Sequence, residues 1–409
     1  MDRESVRRLR AQPGYQAFVG AATLARVSDE MFSVGVVLLV LDRTDSPGLA
    51  GATVAAITLP SLLTAPLLGA WLDVSGSRRA LMALDQVLIA AVLIALVFAI
   101  GNAPNWTVLA ITAIAGLTYP LSFGGFTSLI PALVPEELLT PANALEASSF
   151  NMALVIGPAL AGTLSAIFGP ASPLIVEAAL SLVALVLFIR IPDVDRFRER
   201  GGRGDFAGAV LEGLRQVVSI PQLRGVTAAG AIGLIGFGLM TVAFPLFAVE
   251  HLDAPRSTAG YMWAAFAVGS TLGALSLVRI QRRFDPWRIV IVGLITFGAL
   301  MMLWPLASSL PVMLVLIALA ALADGPALAA TFAVRQRVVP ERLYGQVFTT
   351  ASGLKVGSFA IGAAFAGLAV SELGSGGTIL IAAGVQFLAA GVGLLVMRIP
   401  AGRHAATTG

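Results

Sequence analysis

The chain has 409 residues, 57% of them hydrophobic and only 12% charged, with a mean hydropathy of +0.89 and a formal net charge of +3. That balance exceeds what a soluble core and its surface need together, so most of the chain is expected in lipid, where apolar helices can be added side by side. Cysteine is absent and histidine occurs only at His251 and His404, which excludes disulfide frameworks and thiol catalysis, leaves almost no ligands for a His/Cys metal site, and predicts neither metal nor cofactor.

Met1 to Arg10 is basic, and the apolar segment after it is too long for a signal-peptide core and lacks a small-residue cleavage site, so it is read as an uncleaved first helix. Apolar stretches long enough to cross a ~30 Å hydrocarbon layer follow one another along the whole chain. They predict about twelve spans, near 15–41, 48–73, 79–100, 106–133, 142–168, 172–191, 222–249, 257–279, 287–306, 310–333, 344–371 and 377–397. The runs are too long and too evenly apolar for the alternating strands of a barrel, so the expected class is an all-α polytopic membrane protein.

Arginines flank these spans unevenly. Arg3, Arg7, Arg8, Arg10, Arg78, Arg79, the group from Arg190 to Arg224, Arg279, Arg282, Arg283, Arg288, Arg335, Arg337, Arg342, Arg398 and Arg403 fall on one side, against Arg43 and Arg256 on the other. The positive-inside rule then places both termini in the cytoplasm. The polar stretch 192–220 reads as a cytoplasmic linker between a first bundle, 1–191, and a second, 221–398, with a tail over 399–409. Within the linker Phe206, Val210, Leu214, Val217 and Val218 recur at helical spacing, which suits a helix on the membrane surface or a short soluble linker helix equally.

Ionisable groups inside spans are costly, roughly 2.5–3.5 kcal/mol at the bilayer centre on insertion scales, so each points to function or pairing. Counting ~1.5 Å per residue from Tyr15 puts Arg26 ~16 Å deep, with Asp29 and Glu30 a turn further. Arg26 can pair at i+3 and i+4 with both acids; one acid is then left over and can carry a proton, unless the three form a satisfied cluster that only locks packing. Asp324 stands beside Gly325-Pro326, where a broken helix would free backbone groups for a site. Lys355, the only lysine, lies at a similar depth in span 11 and could pair with Asp29, Glu30 or Asp324, or meet an anionic substrate. Asp85, Glu146 and Glu177 fall nearer span ends and read as structural, with Glu146 near the Asp73 loop. Phe32, Phe150, Phe244, Trp263 and Phe359 are candidates for an apolar pocket, with packing or lipid contact as the plainer explanation of each. Arg26, Asp29, Glu30, Asp324 and Lys355 are thus the candidate proton-coupling or substrate-binding residues.

Sliding the chain by 205 residues sets Val134-Pro135-Glu136, Leu138, Gly157, Ala159, Ala161 and Gly162 over Val339-Pro340-Glu341, Leu343, Gly362, Ala364, Ala366 and Gly367. A half-length repeat of like orientation is the layout in which a substrate site lies near mid-membrane between two rocking bundles. The loop between spans 2 and 3 runs Gly69-Ala-Trp-Leu-Asp73-Val-Ser-Gly76-Ser-Arg78-Arg79. It resembles the Gly-x-Leu-Ala-Asp-Arg-x-Gly-Arg-Arg signature of the major facilitator superfamily, with Trp71, Leu72, Val74 and Ser77 as departures. Span 5 carries Gly157-Pro158-Ala159-Leu160-Ala161-Gly162, similar to the Gly-Pro-x-x-Gly-Gly element of antiporters in that superfamily, although close helix packing explains the same residues.

With the Val-Pro-Glu turn and Asn143-Ala-Leu, the pattern most resembles the bacterial drug and macrolide exporter branch. That resemblance implies a two-bundle fold in the cell membrane, a cytoplasmic gating loop at Gly69, Asp73, Gly76, Arg78 and Arg79, an antiporter-like element at Gly157, Pro158 and Gly162, and a monomer. The arginine that other drug–proton antiporters carry in helix 4 has no counterpart between Trp106 and Val134.

No phosphate-binding loop surrounds the one lysine, so transport would run on a gradient of protons or another ion rather than on ATP hydrolysis by this chain. Gly230, Gly233, Gly236 and Gly238 lie in an apolar span with no strand before them and do not form a dinucleotide loop. The sequence thus predicts an exporter of small amphipathic drugs or metabolites, acting by alternating access with proton antiport. The alternatives are an uptake carrier or symporter of the same fold, a non-transporting sensor, and a polytopic membrane enzyme; the last would need clustered acids or histidines at one membrane face, which are not seen. No enzymatic activity and no nucleic-acid partner are expected; the partners are a small-molecule substrate, the coupling ion and the bilayer.

Overall fold

The computed structural model describes residues 3–75, 78–121, 126, 129–191, 214–215, 217–276, 283–339 and 344–399. Among the described residues the chain is helical, with short 3-10 turns and no strand. Backbone groups in hydrocarbon must be paired within their own segment, and long helices meet that demand.

The helices begin and end where the local chemistry requires. Helix α1 (Arg3–Arg10) is followed by Gly14 at φ 78°, a left-handed conformation that costs glycine little, and the chain turns there into α2 (Tyr15–Thr44). Asp45, also left-handed, closes α2 by returning its N–H to the Leu41 carbonyl. Ser46 Oγ accepts the Leu49 N–H at 3.2 Å and so caps α3 (Pro47–Ser75), whose first residue is a proline that has no N–H to leave unpaired. Next come α4 (Arg78–Ala99), α5 (Asn105–Pro120), the single turn α6 (Ile130–Leu133), α7 (Leu139–Phe168) and α8 (Ser172–Ile189). The second half of the chain forms α9 (Pro221–Leu252), α10 (Ala259–Leu275), α11 (Pro286–Met301), α12 (Leu310–Val338) and α13 (Tyr344–Arg398).

Eight helices among the described residues are long and apolar enough to cross a bilayer. The last, Ala351–Arg398, has 48 residues, more than twice what a ~30 Å layer needs. Gly374, at φ 71° and ψ 172°, breaks α13, to which this stretch belongs, into 344–373 and 375–398. Large apolar side chains such as Leu63, Phe98 and Leu306 are more than two-thirds exposed, as lipid-facing residues of a spanning bundle should be.

Of the 106–133 span, residues 122–125, 127 and 128 lie outside the described residues. The structure amends one expectation about helix continuity. Helix α12 runs unbroken through Gly325-Pro326. Proline deprives the Leu322 carbonyl of its usual donor, but Gly273 of α10 packs directly on that oxygen, while Gly325 packs on the Ser270 carbonyl. A neighbouring helix thus covers the exposed backbone and no break is needed.

The chain forms two compact units. The first comprises Met1–Arg203 together with Phe244–Val249 and Ala254–Ala264, and the second comprises Gly204–Ala243, Glu250–Asp253 and Ala265–Gly409. In the first, α2 lies against α7 and α8, α3 against α5, and α4 against α8. Tyr15, Phe18, Phe126 and Phe188 form a ring chain at one end of its core, with centroids 5.9, 6.5 and 5.7 Å apart. In the second unit α11 packs on α12 and α13, and Phe237, Phe266, Phe297 and Trp304 supply the aromatic core. Of the linker positions, Val217 is buried against Leu223, Val339 and Val347, whereas Leu214 and Val218 are exposed; Phe206 and Val210 lie outside the described residues.

Candidate functional site

Helix α2 carries Arg26, Asp29 and Glu30 within five positions, and its neighbours divide them. Arg26 is 1% exposed and reaches away from its own helix. Its guanidinium donates to the Glu146 carboxylate and the Ser149 hydroxyl of α7, and lies 3.9 Å from the centre of the Phe150 ring. The i+3 and i+4 pairing of Arg26 with Asp29 and Glu30 is therefore not formed. Helical side chains lean toward the N-terminus of their helix, so an arginine that precedes the acids leans away from them and meets α7 instead.

Asp29, released from that pairing, is buried, and its Oδ2 has no hydrogen-bond partner among the described residues. It lines a cavity of about 10 Å³ together with Glu177 of α8, Tyr119 of α5 and an otherwise apolar wall that includes Phe32, Ile57 and Leu93. Glu177 is 2% exposed and its Oε2 is likewise without a partner. Ser28 holds the two helices in register, donating to the Glu177 carbonyl at 3.1 Å and facing Ser181 Oγ at 3.2 Å. Asp85 of α4, also buried, accepts from Gln86 Nε2 at 3.0 Å and lies within electrostatic reach of Asp29. Sequence position had assigned Asp85, Glu146 and Glu177 to the structural background. Glu146 does hold Arg26, but Glu177 shares a cavity wall with Asp29, a relation that only the crossing of α2 and α8 creates.

Glu30 faces α7. A methyl group on Gly157 would come within 2.6 Å of Glu30 Cβ, so the glycine is what lets α7 lie against α2 at this level. Further along the same element, Gly162 and Pro158 pack on α10. A side chain on Gly162 would overlap the Ser257 carbonyl, and one on Gly260 would overlap the Pro158 carbonyl, while Thr163 Oγ1 and Tyr261 Oη are hydrogen-bonded at 2.9 Å. Arg256 adds bonds to the Leu41 carbonyl at 2.6 Å and Asp45 at 2.8 Å. Phe244 and Trp263 pack nearby with their rings tilted and their centroids 5.1 Å apart. Gly157, Pro158 and Gly162 thus serve as contact points for α2 and α10.

In the second unit Asp324 accepts from Ser270 Oγ at 3.2 Å. Lys355 lies along Gly230, whose missing side chain leaves room for its Cε and Nζ. Lys355 and Asp324 are within reach of each other's charge but form no ion pair. Within the signature loop, α3 contains Gly69 and Asp73 and α4 opens at Arg78 and Arg79. Gly76 lies outside the described residues, as do the side chains of Asp73, Arg78 and Arg79. Among the described residues no group of histidines and acids has the spacing of a metal site.

Comparison with known proteins adds to this geometry. A family model described as "Transmembrane secretion effector" matches residues 12–408. The chain is 30% identical over 407 residues to the uncharacterized MFS-type transporter y4rN of Sinorhizobium fredii, covering 97% of this chain and 98% of that one. It is 28% identical over 377 residues to the multidrug efflux pump Tap of Mycolicibacterium fortuitum, covering 88% and 90%. Among solved structures, a bacterial homologue of the human lysosomal transporter Spinster, in an inward-facing and unoccupied conformation, superposes with a TM-score of 0.75 over 97% of this chain and 98% of that one. The identity there is 16%, so the likeness is one of fold.

Proposed function

Since the chain belongs to the major facilitator superfamily, and within it to the family of transmembrane secretion effectors, we propose that it is a monomeric secondary active exporter of small amphipathic molecules, working by alternating access with proton antiport. Its place in a membrane transporter family is the premise; direction, substrate class and coupling ion are the proposal. Export is supported by the likeness to a multidrug efflux pump and by the antiporter-like element of α7. The arginine distribution supports cytoplasmic termini.

The observation that carries proton coupling is Asp29. A carboxyl group buried in a membrane helix, whose nearest arginine is engaged elsewhere and whose Oδ2 has no donor, is costly to keep charged and chemically suited to taking up and releasing a proton. With Asp29 neutralised by a proton, α2 carries one charge fewer past the α7 and α8 contacts, and with the proton gone it carries that charge again. Two charge states biasing two arrangements of packed helices are what alternating access requires.

The test uses purified protein in liposomes with a pH-sensitive dye inside, an imposed proton gradient, and ethidium or a macrolide as transported compound. Proton flux opposite in direction to the compound is the expected result. Proton flux in the same direction would make the protein a symporter, and compound movement indifferent to the proton gradient would remove proton coupling.

A further inference from the structure

We propose that Asp29 and Glu177 form one proton-binding site, a carboxyl pair that shares a proton across the contact of α2 with α8; this deepens the transport reading above and rests on it for its role in coupling. Both side chains are more than nine-tenths buried, both present an oxygen with no hydrogen-bond partner, and both line the same cavity.

The charges around the pair leave a proton as its counterion. On α2 the neighbours are Arg26, already bonded to Glu146 of α7, and Glu30; α4 contributes Asp85, α5 contributes Tyr119, and the wall from α3 is Ile57, which is apolar. Two carboxylates lining one small cavity, whose other polar group is the Tyr119 phenol, repel each other without a cation between them. A single proton removes one of the two charges and supplies an O–H for the other carboxyl to accept, so that the two unpartnered oxygens become donor and acceptor. The proton comes from water onto one carboxylate oxygen and returns to water, with no other bond made or broken.

Size excludes the other occupants. A cavity of about 10 Å³ is close to the minimum for one water molecule, whereas pockets for organic ligands run to ~300–1,000 Å³. Hard metal cations take about six or more oxygens, and the lining offers two carboxyls and one phenol among hydrocarbon side chains. The pair is therefore separate in kind from the substrate's own binding surface.

The direct test is infrared difference spectroscopy of the purified protein in lipid nanodiscs, taken across a pH titration. The wild type is expected to show the carbonyl stretch of a buried protonated carboxylic acid, and both Asp29→Asn and Glu177→Gln, each close to isosteric, are expected to abolish or displace it. A band unchanged in Glu177→Gln overturns the shared site, as does its removal by sodium at constant pH, which would make the site one for a metal cation. In liposomes the same two variants should lose proton-driven ethidium movement; retained proton drive in both overturns the pair as coupling site. An infrared band that responds as expected, in a protein that moves no protons with any compound, would overturn the antiport proposal and leave the proton site standing.

Discussion

Removing Glu146 should destabilise the first unit more than any other single truncation on α7, because it strands a guanidinium. Arg26 is 1% exposed and Glu146 8%, so neither charge has water to fall back on. Breaking a buried pair by deleting one partner typically costs about 3–5 kcal/mol, most of it the penalty of the charge left behind. Arg26 would keep its bond to Ser149 and its place over Phe150, which puts Glu146→Ala near the lower end, at about 3 kcal/mol. Glu146→Gln keeps an acceptor and exchanges a charge-assisted bond for a neutral one, a loss of about 1–2 kcal/mol. The double variant Arg26→Met with Glu146→Leu removes both charges at similar volume and should recover much of the loss. Equilibrium unfolding in mixed detergent micelles, run as a double-mutant cycle, measures the coupling. Additive single losses, with a coupling below about 0.5 kcal/mol, would show that Arg26 and Glu146 are not an energetic unit.

Three further predictions concern the backbone. Gly116→Ala should cost about 1–3 kcal/mol of stability on unfolding in the same micelles, because its Cβ would overlap the Ile57 carbonyl and sit 2.9–3.0 Å from two more backbone atoms, forcing α3 and α5 apart. Gly374→Ala should cost a similar ~1–3 kcal/mol although nothing lies within 4 Å of its Cβ, since φ 71° with ψ 172° belongs to glycine alone. Gly384→Ala, equally uncrowded but helical, should instead gain about 0.5–1 kcal/mol. Equal effects at Gly374 and Gly384 would refute the conformational account.

The helices were legible because apolar length is a strong signal. Pairing across helices was not legible. Counting i+3 and i+4 from Arg26 sees only α2, whereas the partners that bind it stand 120 and 123 residues away. Glu177 was judged by its distance from a helix end, but burial in a bundle depends on what crosses at that level, and there Ser28 and Asp29 cross it. The Gly325-Pro326 step read as a break because a single sequence cannot show that Gly273 covers the Leu322 carbonyl. The antiporter-like element was found by resemblance, and its contacts with Glu30 and Gly260 emerged only from the fold.

The first compact unit includes Phe244–Val249 and Ala254–Ala264, segments that the chain supplies only after the linker. A protein cut or spliced at the linker would therefore separate Gly162 from Gly260, Thr163 from Tyr261, and Asp45 from Arg256. Chimaeras between relatives should carry residues 244–264 with the donor of the amino-terminal half, and recombination at the midpoint would mix partners that fit each other backbone to backbone. What can be exchanged between relatives is thus set by these contacts and not by the near-symmetry of the sequence.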